Sequence, residues 1–371
     1  MKYCSKCTYP ASAVNITFDK NGVCSGCNVA KERGEIDWDE RFEIFKEIVY
    51  SHKSKNQSNY DCLIPVSGGK DSHYQTYIIK EVLGLNPLLV TYHGHNYLPV
   101  GEQNLINIRD AFEVDHIFYT PSKSTIIKLN RLGFKMTGDM NWHNHAGIVT
   151  YPIRVAVQYK IPLIIWGEHG LDLTGKNSLY DLVEYTARER KEHHLRGYDW
   201  YDFIGLDEDH INENEMIWCK YPTDEEIMDI GIRGIYLGNY VNWDGRKNTR
   251  IAKEYGFKES SVAFDRTYKL ASNLDDRYEN GSHDLMKYIK FGYGRATDHT
   301  SRDIRLGYMT RDEGVELVKK YDHVIPNDLE YWLNYVNMDI DEFWEIANSF
   351  RDTRVWLYEN GKWLKDNIWE E

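Results

Sequence analysis

The stretch of the chain best suited to chemistry is residues 67–72, Ser-Gly-Gly-Lys-Asp-Ser, which directly follow the apolar run Cys62–Val66. Two glycines let backbone N–H groups close around an anion, and a following helix adds its N-terminal dipole. Ser67, Lys70 and Ser72 supply side-chain donors. The pattern predicts a phosphate-binding turn and ATP chemistry, although a Gly-Gly turn capped by Ser and Asp is the alternative.

The spacing of this turn distinguishes two classes of nucleotide enzyme. Walker A needs four residues between its first glycine and Gly-Lys-Ser/Thr, and the turn lacks them, which excludes a P-loop kinase or GTPase. The hexapeptide instead resembles the S-G-G-x-D-S signature of the PP-loop ATP pyrophosphatases. That resemblance implies release of the β- and γ-phosphates as pyrophosphate and transfer of AMP to an acceptor oxygen.

A second chemical signal is a pair of C-x2-C motifs near the N-terminus, with 16 residues between them. This spacing suits one tetrahedral zinc held by four thiolates, and a closed four-sulfur site is structural. Two disulfides are the alternative, which a reducing compartment disfavours. Val14–Phe18 alternates like a strand and 19–22 reads as a turn, so we expect a small β-hairpin knuckle. The predicted zinc ligands are Cys4, Cys7, Cys24 and Cys27.

The composition limits the class of partner. The chain has 371 residues and a formal net charge of −13, from 58 acidic and 45 basic residues. That balance argues against a surface that binds nucleic acid and favours a small-molecule substrate. The sequence has neither a recognisable leader nor an apolar stretch long enough to cross a bilayer. We therefore expect a cytoplasmic protein without membrane contact.

Apolar runs alternate with amphipathic stretches from residue 60 onward, which predicts an α/β fold with a parallel sheet. The predicted strands are 62–66, 88–92, 116–119, 161–167 and 234–238. The predicted helices are 38–50, 71–82, 102–112, 153–159, 224–232 and 246–256. The charged segment 181–197, which contains Arg188, Arg190, Lys191 and Arg196, is interpreted as a solvated helix face.

Ligands in open parallel sheets bind beyond the carboxyl ends of the strands. That rule brings 67–72, 91–95 and 167–169 into one neighbourhood. The predicted ATP-binding residues are Ser67, Gly68, Gly69, Lys70, Asp71, Ser72, Thr91, Tyr92, His93 and Gly167. The predicted modules are 1–36 (zinc knuckle), 37–59 (helix and linker), 60–260 (PP-loop domain) and 261–371 (a mostly helical C-terminal region).

Longer motifs extend the resemblance to a particular family. The segments 61–75, Trp166-Gly167-Glu168, 233–238 and 291–298 look like those of the N-acetyl sugar amidotransferases, and the match covers most of the chain. The resemblance implies conversion of an acetamido to an acetamidino group on a bacterial surface sugar, as in pseudaminic and legionaminic acids, flagellin glycosylation and lipopolysaccharide biosynthesis. It implies ATP, Mg²⁺ and structural Zn²⁺ as cofactors, and an N-acetylated sugar or nucleotide sugar as substrate.

Individual roles follow from that chemistry. Lys70, with Mg²⁺, would offset charge on the phosphates, while Asp71 and Glu168 would bind metal or position substrate. A helix-capping acid and a surface acid are the alternatives for these two carboxylates. Arg295, Asp298 and Arg302, with Asp303 and Arg305, suit a sugar carboxylate or phosphate, or else form a structural ion-pair network. His143, His145 and His169 are either a general-base cluster or ordinary loop residues.

The source of ammonia is a separate question. A glutaminase needs an activated cysteine, but the first cysteine is Cys4, and neither Cys62 nor Cys219 lies in a nucleophile motif. Cys62 lies on a predicted core strand, and no role is assigned to Cys219. We therefore expect a separate glutaminase as partner, or use of free ammonium. A tRNA-thiolating PP-loop enzyme and a non-catalytic zinc and nucleotide interaction module remain as alternative functions.

Overall fold

The fold is built around one parallel sheet of five strands. The computed structural model describes residues 1–168, 170, 173–206 and 210–370. The strands are β1 (Cys62–Pro65), β2 (Pro87–Tyr92), β3 (His116–Tyr119), β4 (Leu163–Trp166) and β5 (Arg233–Tyr236), in the order β3-β2-β1-β4-β5. All pairs are parallel, and Leu63 on β1 aligns with Leu88 on β2 and Ile164 on β4.

The sheet forms because its central strands are continuous apolar runs that are buried on both faces. Every residue of β2 is buried, as are the first three of β1 and of β4. Ile64 and Leu89 contribute to one core, and Leu63 and Val90 to the core on the opposite face. The α/β parallel-sheet fold is therefore as predicted.

Helices cover the sheet and form the C-terminal region. They are α1 (Ser25–Glu32), α2 (Trp38–His52), α3 (Lys70–Tyr77), α4 (Pro99–Phe112), α5 (Lys123–Thr137), α6 (Trp142–Tyr159), α7 (Ala187–Glu189), α8 (Asp224–Ile230), α9 (Gly245–Glu254), α10 (Asn280–Phe291), α11 (Arg295–Arg305), α12 (Arg311–Tyr321), α13 (Asp328–Val336) and α14 (Ile340–Ser349). A hairpin of β6 (Leu357–Glu359) and β7 (Lys362–Leu364) follows. Within the described ranges, none of the helices combines the length and apolarity that a bilayer crossing requires.

Three local predictions differ from the structure. The helix expected at 153–159 begins instead at Trp142 and continues through Pro152, because Val149, Ile153 and Ala156 on both sides of the proline are buried. The helix expected at 71–82 is α-helical only as far as Tyr77 and ends in a π-helical turn. Helix α5 was not predicted.

The N-terminal knuckle contains the expected turn, with a shorter hairpin than predicted. The Gly22 amide donates to the Asp19 carbonyl at 3.0 Å, and Phe18 pairs antiparallel with Cys24, but Val14 is 47% exposed and 14–16 form no strand. The knuckle packs its buried cysteines and Tyr9 against Tyr293 of the C-terminal region. The proposed division into four modules stays a prediction, with the first and last of them in contact.

The interpretation of 181–197 as a solvated helix face is wrong for Arg190. Its side chain is 3% exposed, and its guanidinium donates to both carboxylate oxygens of Asp199, at 2.9 and 3.1 Å. It also donates to Thr150 Oγ1 at 2.8 Å. The segment contains only the three-residue α7 and a π-helical turn, so its charges include a buried ion pair that orders the loop.

Candidate active site

The predicted phosphate-binding turn lies at the carboxyl end of β1. Gly68 has a φ of +74°, and a Cβ atom there would lie 3.0 Å from Leu105, so both backbone conformation and space favour glycine. The Ser67 amide donates to Ser72 Oγ at 3.0 Å, which closes the turn, and α3 begins at Lys70. The turn therefore places a helix N-terminus, a favourable position for an anion, beyond the end of the strand.

Lys70 and Asp71 form the charged part of the turn. The Lys70 ammonium contacts the Asp71 carboxylate, and Asn248 Nδ2 on α9 donates to Asp71 Oδ1 at 2.9 Å. Desolvation raises the pKa of Asp71, but the charges of Lys70 and Arg302 and the hydrogen bond from Asn248 outweigh it, and the pKa lies below its ordinary value. Asp71 is thus an ionised carboxylate at neutral pH, fixed by two neighbours.

A cavity of about 520 Å³ opens at the carboxyl ends of β1 and β4. The strand order reverses here, and this is the position where open α/β sheets bind ligands. The volume lies within the range of small-molecule and cofactor pockets. The predicted site residues that line it are Ser67, Gly68, Gly69, Lys70, Asp71, Ser72, Tyr92, Gly167, Glu168 and Arg295.

Two predicted ATP-binding residues make other contacts. The Thr91 hydroxyl donates to the Val66 carbonyl at 2.6 Å and lies 2.8 Å from His116 Nε2, and Thr91 is 1% exposed. The His93 ring stacks on Tyr97 with centroids 4.5 Å apart and its Nε2 lies 3.0 Å from Glu102. Both residues support the wall through these contacts rather than line the cavity.

A second cavity, of about 410 Å³, adjoins the first at Lys70, Asp71 and His299, which line both. Arg302 lines it together with Lys269 and Asp303. Arg302 Nη2 also donates to Glu168 Oε1 at 2.9 Å, so this ion pair connects the walls of the two cavities. Burial and neighbouring cations hold the pKa of His299 well below its ordinary value, so its ring is neutral.

The predicted substrate-binding residues on α11 are not equivalent. Arg295 lines the first cavity, but its guanidinium is paired with the buried Asp284 at 2.9 Å. Asp298 accepts a hydrogen bond from the Tyr9 hydroxyl at 2.7 Å and contacts the Lys287 ammonium. Asp298 therefore joins the N-terminal knuckle to the C-terminal helices, as the alternative of a structural ion-pair network proposed.

Two of the three predicted histidines lie in different surroundings. His143 is fully buried, with Nε2 at 2.9 Å from Glu279 Oε1 and Nδ1 at 3.2 Å from the Tyr92 hydroxyl. His145 lines the cavity. His169 lies outside the described residues. Helix α6 thus carries one histidine inside the protein and one on the cavity wall.

A pair of carboxylates that the motifs did not reveal lies next to the cavity. Asp276 lines the cavity while only 3% exposed, and Glu279 is fully buried. Burial and the charge of Glu279 raise the pKa of Asp276 well above its ordinary value. Asp276 Oδ2 and Glu279 Oε2 have no hydrogen-bond partner in the part of the chain that the structure describes. Their segment is irregular, so periodicity gave no signal for them.

The four N-terminal cysteines converge as predicted. Their sulfurs lie 3.9 Å apart for Cys4 and Cys27 and 3.6 Å apart for Cys7 and Cys24. Tetrahedral zinc with Zn–S bonds of about 2.3 Å requires sulfurs about 3.8 Å apart, so the donor set fits zinc. All four side chains are buried, which leaves the site without an open position for substrate.

Arg305 is the main cationic neighbour of these thiolates. Its Nε lies 3.4 Å from Cys27 Sγ, and its Nη2 lies 3.4 Å from Cys24 Sγ and 3.7 Å from Cys7 Sγ. Because four thiolates around Zn²⁺ leave a net charge of −2, a guanidinium at this distance stabilises the site. Of the two roles considered for Arg305, contact with a sugar carboxylate or phosphate and a structural network, its contacts with the cysteine sulfurs favour the structural one.

The chain is similar to known proteins over only part of its length. An uncharacterised protein of Methanocaldococcus jannaschii is 28% identical over 121 residues, 30% of this chain and 40% of that protein, so the match spans less than half of the relative. Two solved structures align with 61% of the chain, and TM-scores are low for both: NMN synthetase from Francisella tularensis (11% identity, 98% of that chain, TM-score 0.31) and NH3-dependent NAD synthetase from Campylobacter jejuni (12%, 100%, 0.29).

The C-terminal region matches one family model. Residues 267–368 match the model of the LPS biosynthesis protein WbpG-like C-terminal domain. The matched range contains the cavity residues Asp276, His283 and Arg295 and the zinc neighbour Arg305. The match is confined to this C-terminal part of the chain and shows its likeness to that domain.

Proposed function

We propose that the protein is an ATP-dependent, AMP-forming sugar amidotransferase that converts the N-acetyl group of a bacterial surface sugar into an acetamidino group. One observation carries the proposal: the phosphate-binding turn and Glu168 share a single cavity with residues of the WbpG-like domain. A nucleotide held by the turn would therefore face an acceptor held by the C-terminal region. Pseudaminic acid derivatives and O-antigen sugars are the proposed substrate class.

The first step is adenylation of the amide. The acetamido oxygen attacks the α-phosphorus of ATP, the bond to the bridging oxygen breaks, and pyrophosphate leaves. The Lys70 ammonium and the backbone of residues 67–72 would stabilise the charge that develops on the phosphates. Asp71 and Glu168 are the proposed ligands for Mg²⁺, which prefers carboxylate oxygens and would neutralise phosphate charge when bound.

The second step replaces the activated oxygen with nitrogen. Ammonia attacks the imidate carbon, the carbon–oxygen bond breaks, and AMP leaves with the former amide oxygen. Ammonium must lose a proton before it attacks, and Asp276 is the proposed acceptor. Asp276 lines the cavity, burial and the charge of Glu279 raise its pKa, and its Oδ2 has no hydrogen-bond partner among the described residues.

The cysteines support an external source of ammonia. Four of the six belong to the zinc site, and the other two are buried. Burial raises the pKa of Cys219 to about 12 and that of Cys62 further still, so neither is a thiolate at neutral pH. We propose that a separate glutaminase, or free ammonium, supplies the nucleophile.

The test is mass spectrometry of the protein incubated with ATP, Mg²⁺, ammonium and free, UDP-linked or CMP-linked N-acetyl sugars. Exchange of oxygen for NH lowers the product mass by about 1 Da, with one AMP released per product. Lys70→Ala should lower turnover at least about 100-fold, while Lys319→Ala, at an exposed lysine on α12, should not. AMP formation only with tRNA would favour the thiolating enzyme, and no ATP turnover would favour the interaction module.

A further inference from the structure

Three side chains from separate elements meet at one wall of the first cavity. Asp139 lies between α5 and α6, His145 lies on α6 and His283 on α10. His283 Nδ1 lies 2.9 Å from Asp139 Oδ1, and His145 Nε2 lies 3.9 Å from Asp139 Oδ2. One donor atom from each lies within 4.8 Å of the others, and both histidines line the cavity. The proposed reaction uses none of the three.

We propose that Asp139, His145 and His283 form a binding site for a divalent transition metal ion, separate from the cysteine knuckle. Two imidazoles and one carboxylate are a donor set typical of zinc and of non-haem iron, with positions left open for other ligands. Metal–ligand bonds of about 2.0–2.1 Å place tetrahedral donor atoms about 3.3 Å apart. The observed separations of 2.9 and 3.9 Å lie on either side of that value.

The carboxylate is held in place by its surroundings. Its side chain is 4% exposed, and Asp139 Oδ1 also accepts a hydrogen bond from the Asn141 amide at 3.0 Å. The two imidazoles are 26% and 18% exposed, on the side of the cavity. A bound ion would therefore be anchored on the protein side and reached from the cavity, where an oxygen or nitrogen of a small molecule can complete its coordination.

Arg196 provides the positive charge at this position in the structure. Its Nη2 lies 3.3 Å from Asp139 Oδ2 and 3.4 Å from His145 Nε2, between two of the proposed ligands. The side chain is 37% exposed, and its Nη1 is held by the backbone carbonyls of residues 193 and 194. A metal ion must displace this guanidinium, so removal of the guanidinium should strengthen metal binding.

The test counts metal ions on the full chain whose knuckle is already loaded with zinc. Equilibrium dialysis against Co²⁺ should add one ion per chain, with absorption bands that lack the thiolate-to-cobalt charge transfer of a cysteine site. His283→Gln and His145→Gln should each abolish this second ion. His323→Gln, at an exposed histidine in the C-terminal region, should retain it, and Arg196→Gln should bind Co²⁺ several-fold more tightly.

Equal Co²⁺ stoichiometry in the wild-type protein and both histidine variants would overturn the proposal and leave Arg196 as the counter-ion of a structural Asp139. Because Asp139 is buried, its replacement can unfold the loop, and for that reason the two cavity-facing histidines carry the test. Metal stoichiometry is independent of catalysis, so failure of the amidotransferase assay would leave this result unaffected.

Discussion

Arg302 on α11 donates to Glu168, just after β4, at 2.9 Å. The pair joins the C-terminal region to the end of the sheet at the point where the two cavities meet. Both side chains are about one-third exposed, at 30% and 32%, so water screens the pair and its contribution to stability is small, at most about 1 kcal/mol. Its position suggests a role in orienting groups at the site rather than in holding the fold together.

The first prediction concerns this pair. Glu168→Gln and Arg302→Gln should each lower amidation about tenfold or more, while the free energy of unfolding in urea changes by less than about 1 kcal/mol. The double variant should lose less activity than the product of the two single losses, because the second change removes a group that has already lost its partner. If the activity loss of the double variant equals the product of the two single losses, the two residues do not act as a pair.

The second prediction concerns the proton acceptor. Asp276→Asn should lower the rate of the ammonium-dependent step about 10²- to 10⁴-fold, which is the usual contribution of a general base. ATP–pyrophosphate exchange in the presence of the sugar should be retained, because adenylation precedes the use of ammonia. Asp312→Asn, at an exposed aspartate on α12, is the control. Equal losses in exchange and amidation would assign Asp276 to nucleotide or sugar binding.

The third prediction concerns acid stability. Burial lowers the pKa of His73 to about 4, while its ring contacts Phe257 and its Nδ1 lies 3.0 Å from the Gly69 carbonyl. The unfolded chain, with a histidine pKa of about 6.5, binds the proton more readily, so stability is lost as the pH falls from about 6.5 towards 4. Between pH 7 and pH 5 this one group should remove about 2 kcal/mol.

Urea unfolding of His73→Asn at both pH values tests that statement. The asparagine amide can still donate to the Gly69 carbonyl but does not titrate. Between pH 7 and pH 5 the variant should therefore lose about 2 kcal/mol less free energy of unfolding than the wild-type protein. His323→Asn, at an exposed site, should lose as much stability between pH 7 and pH 5 as the wild-type protein does. The same pH dependence in all three proteins would assign the acid sensitivity to other groups.

The fourth prediction concerns the zinc site. Arg305→Gln removes the cation next to three thiolates, so zinc should pass more rapidly to a chelator and the chain should lose about 2 kcal/mol of stability. Arg305→Lys should be intermediate, because an ammonium keeps the charge but cannot contact three sulfurs at once. Arg354→Gln is the control, at an arginine 88% exposed. Zinc release at the wild-type rate in Arg305→Gln would contradict this role.

The elements that sequence predicted well are those with a local signal. Strands β1, β2 and β3 are short apolar or aromatic runs, and the turn at 67–72 has two adjacent glycines; the structure places them within one or two residues of the expected bounds. The predicted helix at 153–159 covers only the last part of α6. A proline usually interrupts a helix, but the buried neighbours of Pro152 on both sides hold α6 together. Tertiary packing, rather than local sequence, therefore sets the start of this helix.

The remaining site residues depend on contacts between distant segments. Asn248 reaches Asp71 across 177 positions, and Arg302 reaches Glu168 across 134. Single side chains of this kind carry no periodic pattern, and only the folded topology brings them together. The same reason explains why Arg305 was grouped with the arginines of its own helix rather than with the cysteines.

The contact between Arg305 and the cysteines also has a consequence for synthesis. Cys7 and Arg305 are 298 positions apart, so the ribosome makes the thiolates long before it makes their counter-charge. Until α11 emerges, the knuckle lacks both this cation and the Tyr293 surface on which it packs. Contacts of such separation are slow to form, so the knuckle stays exposed until α11 has been made, and chaperones can bind it during that interval.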